Sequence, residues 1–98
     1  MPQKTSFATA LRTVRKARGL SQEAFSDVSS RTYLSSLERG LKSPTLNKVS
    51  ELSDALNVHP LTLLSLAYAA DEKSLDRLFA RLRQELETVM NAKAAQER

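Results

Sequence analysis

Arg31, Thr32, Ser35, Ser36 and Arg39 fall within nine residues and could together do chemistry on a polar partner. At helical spacing they form a face of guanidinium groups and hydroxyls with no carboxylate among them. Arg pairs bidentately with a guanine edge or a phosphate, and Ser and Thr reach either bases or phosphates. A merely solvated face usually mixes charge signs and favours Glu or Lys, which have better helix propensity than Ser or Thr. On composition alone, an ordinary exposed Ser-rich helix accounts for the stretch equally well.

The elements that must position this face are short. Ser29 or Ser30 can cap the reading helix by accepting from the free N–H groups of its first turn. Gly40 suits the left-handed residue that ends a helix, and Leu34 and Leu37 share a narrow buried stripe. Before it, Ser21 can cap another helix with Ala24, Phe25 and Val28 facing inward, followed by a tight turn. Helix N-termini offer bare N–H groups to phosphate, which makes Ser21 and Gln22 candidate phosphate contacts.

Several spaced motifs then carry a resemblance. Arg18-Gly19-Leu20-Ser21-Gln22, the run Ser30-Arg31-Thr32-Tyr33-Leu34-Ser35-Ser36-Leu37-Glu38-Arg39-Gly40, Pro44-Thr45-Leu46 and Ala55-Leu56-Asn57-Val58 occur in that order. Residues 7 to 68 closely resemble the helix-turn-helix domain of the Cro/phage-repressor-like family, also called the xenobiotic-response-element type. The resemblance implies an all-α, five-helix lambda-repressor-like domain that binds double-stranded DNA. It implies Arg31, Thr32, Ser35, Ser36 and Arg39 as base-edge candidates, and Ser21, Gln22, Tyr33, Lys42 and Arg12 as phosphate candidates. It further implies a buried ion pair between Arg15 and Glu38. One departure stands out: between Ser21 and Ser30 the family usually has about two more residues. The second helix is therefore expected to be shorter, or its turn tighter.

Composition sets outer limits. The 98 residues carry a formal charge of +4. Residues 1 to 70 hold nine Lys and Arg against five Asp and Glu, and residues 71 to 98 hold six of each, so the excess lies in the half that would meet phosphates. There is no cysteine and a single His, His59, which argues against a disulfide framework and most metal sites. No metal or cofactor is expected. An enzyme is not expected either, for there is no phosphate-cradling Gly-rich loop and only one His to serve as a base. The first residues lack the apolar core of a secretory signal, and no apolar run is long enough to cross a bilayer. The expected location is cytoplasmic.

Along the rest of the chain, Thr5 or Ser6 can cap a first helix carrying Phe7, Ala10, Leu11 and Val14 inward, with Gly19 closing it. Thr45 can cap a fourth helix with Leu46, Val49, Leu52 and Leu56 inside, and Asn57 suits a left-handed exit. His59 reads as a local cap and Pro60 as the first residue of a fifth helix. There Leu61, Leu64, Ala67 and Tyr68 are predicted inward, with Leu63 and Leu66 partly elsewhere. The expected organisation is a DNA-binding domain over residues 1–70 and a separate C-terminal helix over 71–98, opened by Asp71. Leu75, Phe79, Leu82, Leu86 and Val89 recur in alternating steps of four and three, with Leu78 flanking them, the spacing of a coiled-coil seam. This stripe is predicted to dimerise the chain, and the polar end from Asn91 to fray.

The reading is thus a homodimeric, sequence-specific transcriptional repressor on an inverted-repeat operator. Chains of this size also serve as phage-type repressors, as restriction-modification controller proteins, and as antitoxins whose C-terminal helix binds a second protein. A helical protein-interaction adaptor that does not read DNA sequence is the rival of a different class.

Overall fold

Ser6 opens the first helix: its hydroxyl accepts from the Thr9 N–H at 3.2 Å, satisfying one of the donors a helix start leaves bare. The structure, a computed structural model, describes residues 6–96, so the other candidate cap, Thr5, lies outside the described residues. Among the described residues there are five α-helices, one 3-10 turn and no strand. They are α1 (Phe7–Ala17), the 3-10 turn (Gln22–Phe25), α2 (Arg31–Glu38), α3 (Leu46–Leu56), α4 (Pro60–Tyr68) and α5 (Glu72–Gln96). The chain divides into two units at Tyr68. The fold is all-α, a helix-turn-helix domain and a long C-terminal helix.

The core of the first unit is assembled from the predicted stripes. Ala10, Leu11 and Val14 of α1, Phe25, Leu34 and Leu37, and Val49, Leu52 and Leu56 of α3 are all buried. Helix α1 packs on α2 and α4, and the 3-10 turn packs on α2 and α3. Three helix ends share one device. Gly19, Gly40 and Asn57 have φ of 70°, 75° and 59°, and each following N–H reaches back five residues, as Leu41 N does to Ser36 O at 2.9 Å. His59 caps α4, its Nδ1 accepting from Leu61 N at 3.0 Å. Asp71 caps α5, accepting from Ser74 N at 2.7 Å, which holds its carboxyl below the usual range.

Three expectations are corrected. The second helix is a single 3-10 turn, in which Phe25 is buried and Ala24 is exposed. In α4 the inward face is rotated: Leu64 and Ala67 pack against the core as predicted, but Leu63 is fully buried, while Leu61 and Tyr68, seven residues apart and so on one side, are exposed. Leu46 is 79% exposed, as is Tyr68, for among the described residues no element covers the first turn of α3. With Phe7, Pro44 and Leu64 they line a shallow apolar groove of about 360 Å³. The C-terminal helix is continuous through Asn91 to Gln96.

Asn57 gives a direct test of the helix-ending device. Asn57→Gly is expected to leave stability unchanged or slightly raised. Asn57→Val, which places a β-branched residue at positive φ, is expected to lower it by about 1–2 kcal/mol in urea denaturation.

Candidate nucleic-acid interface

Helix α2 is held from behind by a charged contact. Arg15 Nε donates to Glu38 Oε2 at 2.6 Å and its Nη2 to Oε1 at 2.8 Å, a bidentate pair with side chains only 12% and 4% exposed. Arg15 Nη1 also donates to Leu20 O at 2.9 Å, and Gln22 Nε2 donates to Glu38 Oε1 at 3.2 Å. One carboxylate thus ties α1, the 3-10 turn and the last turn of α2 together. Burial pushes the Glu38 carboxyl up, but hydrogen bonds from Arg15 and Gln22, and the nearby charges of Arg15 and Arg12, outweigh it. The net shift is downward. Hydrogen bonding to Glu38 correspondingly raises the Arg15 guanidinium above its usual value, against the opposing effect of burial.

The outer side of α2 is open. Ser30 is its cap, its hydroxyl accepting from Tyr33 N at 3.1 Å, while Ser29 Oγ donates to Ser30 O at 3.3 Å. Arg31, Thr32, Ser35, Ser36 and Arg39 line one shallow groove of about 370 Å³, joined at its edge by Gln22. Arg31, Thr32 and Arg39 are exposed, and Ser35 and Ser36 half-buried. The structure therefore brings all five base-edge candidates onto one concave, mainly polar surface. The phosphate candidates surround it in sequence. Ser21 is exposed and extended, but its side chain makes no capping bond to the 3-10 turn, contrary to expectation. Gln22 keeps one amide N–H beyond the one given to Glu38. Arg12 and Lys42 are exposed.

Three contacts had no signal in residue spacing. Glu23 Oε1 accepts from Arg31 Nη1 at 3.2 Å, an exposed pair that sets a carboxylate beside the cationic face. The Tyr33 ring packs against the core, with Lys42 Nζ 5.6 Å and Lys48 Nζ 5.7 Å from its centroid, within cation–π range. Lys48 was not a candidate at all. On α5, Phe79, Leu82, Leu86 and Val89 are exposed, Leu75 and Leu78 are half-buried, and exposed Met90 extends the apolar stripe.

Removing one partner of the buried pair, as in Arg15→Met, is expected to cost about 3–5 kcal/mol of stability, and apolar replacement of both to cost much less. The pH dependence has a definite sign. Because the folded-state pKa of Glu38 is lowered, its contribution is fully present above the ordinary value of about 4.5 and is lost as pH falls through the folded value. Urea titrations below about pH 5 are therefore expected to show an acid-induced loss of stability that Glu38→Gln diminishes.

With the geometry in place, comparisons with known proteins agree on the fold. Residues 11–63 match the helix-turn-helix family model. The chain is similar in structure to the restriction-modification controller protein C.AhdI from Aeromonas hydrophila, with 34% sequence identity and a TM-score of 0.56. The match covers 60% of this chain and 92% of that one. No curated protein matches the sequence. No helix among the described residues is long and apolar enough to cross a membrane. Matched over more than half its length by the family model, the chain belongs to the Cro/C1-type helix-turn-helix family and is a DNA-binding transcription regulator rather than an enzyme.

Proposed function

We propose that the protein is a sequence-specific repressor that binds an inverted-repeat operator as a homodimer. The observation that carries this reading is the groove on α2, where two guanidinium groups, three hydroxyls and an amide converge and none of the lining residues is acidic. Arg31, Thr32, Ser35, Ser36 and Arg39 approach base edges in the major groove. Ser21, Gln22, Tyr33, Lys42 and Arg12 hold the flanking phosphates, which set register without carrying sequence information. The exposed stripe of Phe79, Leu82, Leu86 and Val89 supports self-association, since an unpartnered apolar strip marks an interaction surface. Two reading helices on such a dimer address half-sites about 34 Å apart.

Among regulators of this size, the similarity to a restriction-modification controller protein favours that role. A controller role requires the preferred site to lie beside restriction-modification genes. The antitoxin reading requires a second protein on α5, and the adaptor reading requires binding indifferent to sequence.

Selection of bound sequences from random duplex DNA, with the mass of the complex recorded, separates these readings. The expected result is a two-fold symmetric site carrying two copies of the chain. An asymmetric site bound by one copy would refute the dimer, and recovery of no preferred sequence would refute the base-reading face. Arg31→Ala is expected to weaken binding to the selected site by about 1–3 kcal/mol while relaxing preference at one position of each half-site.

A further inference from the structure

The segment leading into α2 is only five residues long, Ser26 to Ser30, and its closure depends on a residue from α3. After the 3-10 turn ends at Phe25, the N–H groups of Val28 and Ser29 both return to Phe25 O, at 2.9 and 2.8 Å. The Val28 carbonyl is turned the other way. It accepts from Lys48 Nζ at 2.6 Å, and the same ammonium contacts Glu51 Oε1 at 2.9 Å and lies 5.7 Å from the centre of the Tyr33 ring. The Lys48 side chain is only 24% exposed, whereas Lys16 and Lys42 are exposed. Its backbone is fixed as well, the Lys48 N–H donating to the cap hydroxyl of Thr45 at 3.1 Å.

We infer that Lys48 is a positioning residue for DNA reading: it clamps the shortened turn and the Tyr33 ring to α3, and so fixes the pitch of α2. The inference rests on α2 being the base-reading helix. The clamp joins α3 to the chain three residues before Arg31 and to the third residue of α2, so it bears on the helix at the end where Arg31 and Thr32 sit. Base contacts need supporting groups that hold geometry to a fraction of an ångström, and they alone carry sequence information, so a loosened α2 loses selectivity before it loses its hold on phosphates. The charge of Lys48 is spent on a carbonyl and a carboxylate of its own chain, so it contributes orientation and no phosphate neutralisation.

The test uses the full chain, the duplex that the wild type selects, and a scrambled duplex of equal length. Both are titrated over a range of salt, at a temperature where every variant is folded. Lys48→Met is expected to lower affinity for the selected duplex by roughly tenfold or more, the scale of one lost base contact. Affinity for the scrambled duplex is expected to fall far less, and the salt slope to stay unchanged. Amide exchange at Ser29 to Leu34 in the free protein is expected to quicken, and Lys48→Arg to restore part of the selectivity. Equal losses on both duplexes, with a salt slope reduced by about one, would overturn the inference by making Lys48 a phosphate contact. An unchanged ratio of the two affinities would overturn it by leaving Lys48 a merely structural residue. Should Lys48→Met not fold, Glu51→Gln loosens the same ammonium and must lower the ratio in the same direction; an unchanged ratio there counts equally against the clamp. A wild type that selects no sequence would sink the base-reading assignment itself, and the inference with it. Normal selection by wild type and variants alike would sink only the role of Lys48.

Discussion

The bidentate contact between Arg15 and Glu38 is the constraint on which the rest of the domain depends. Taking two charges out of water is costly, and the pair persists because its geometry supplies hydrogen bonds in return: two from Arg15 and a third from Gln22. Its worth here lies in geometry as much as in stability. Leu11, Leu34 and Leu37 pack without strong directional preference, whereas a forked guanidinium and a carboxylate meet in one orientation. The contact joins α1 to the end of α2 and draws in the residue that opens the 3-10 turn. Three elements that already share the core through Leu11, Phe25, Leu34 and Leu37 are thereby put in register.

That inward-facing carboxylate also accounts for the character of the opposite side. Glu38 is the only acidic residue of α2, and it is consumed inside the domain. What remains outward is Arg31, Thr32, Ser35, Ser36 and Arg39, a surface suited to meeting anions and base edges. The nearby carboxylate of Glu23 tempers it by pairing with Arg31. An exposed pair of this kind contributes little to stability, typically below about 1 kcal/mol, so Arg31 can exchange it for a partner on DNA at small cost. Glu23 also offers a source of discrimination, since like charges near a phosphate disfavour misplaced contacts.

What was legible in the sequence was mostly local. Ser6, Ser30, Thr45, His59 and Asp71 each bond an N–H two or three residues away, and Asn57 adopts the left-handed backbone that its own type favours. Such features need no knowledge of a distant partner. The face of α2 was legible too, because its polar and apolar positions alternate clearly. The inward face of α4 was legible only in part, for a helix reading Pro-Leu-Thr-Leu-Leu-Ser-Leu-Ala-Tyr has apolar residues on nearly every side and only Thr62 and Ser65 to orient it. The 3-10 turn was anticipated only as a shortening, and its lost cap at Ser21 follows from a turn too brief to present a full set of helical N–H groups. The contacts of Glu23 and Lys48 were invisible because they span eight and twenty residues and follow no periodicity.

The account stands or falls on whether the outer side of α2 is the surface that meets DNA. Amide chemical-shift mapping of the full chain, titrated with its selected duplex, tests this most directly. The account predicts that the largest changes fall on residues 31–39, with smaller ones at Ser21, Gln22 and Lys42. Changes concentrated on the outer surfaces of α3 and α4, with residues 31–39 unmoved, would contradict it.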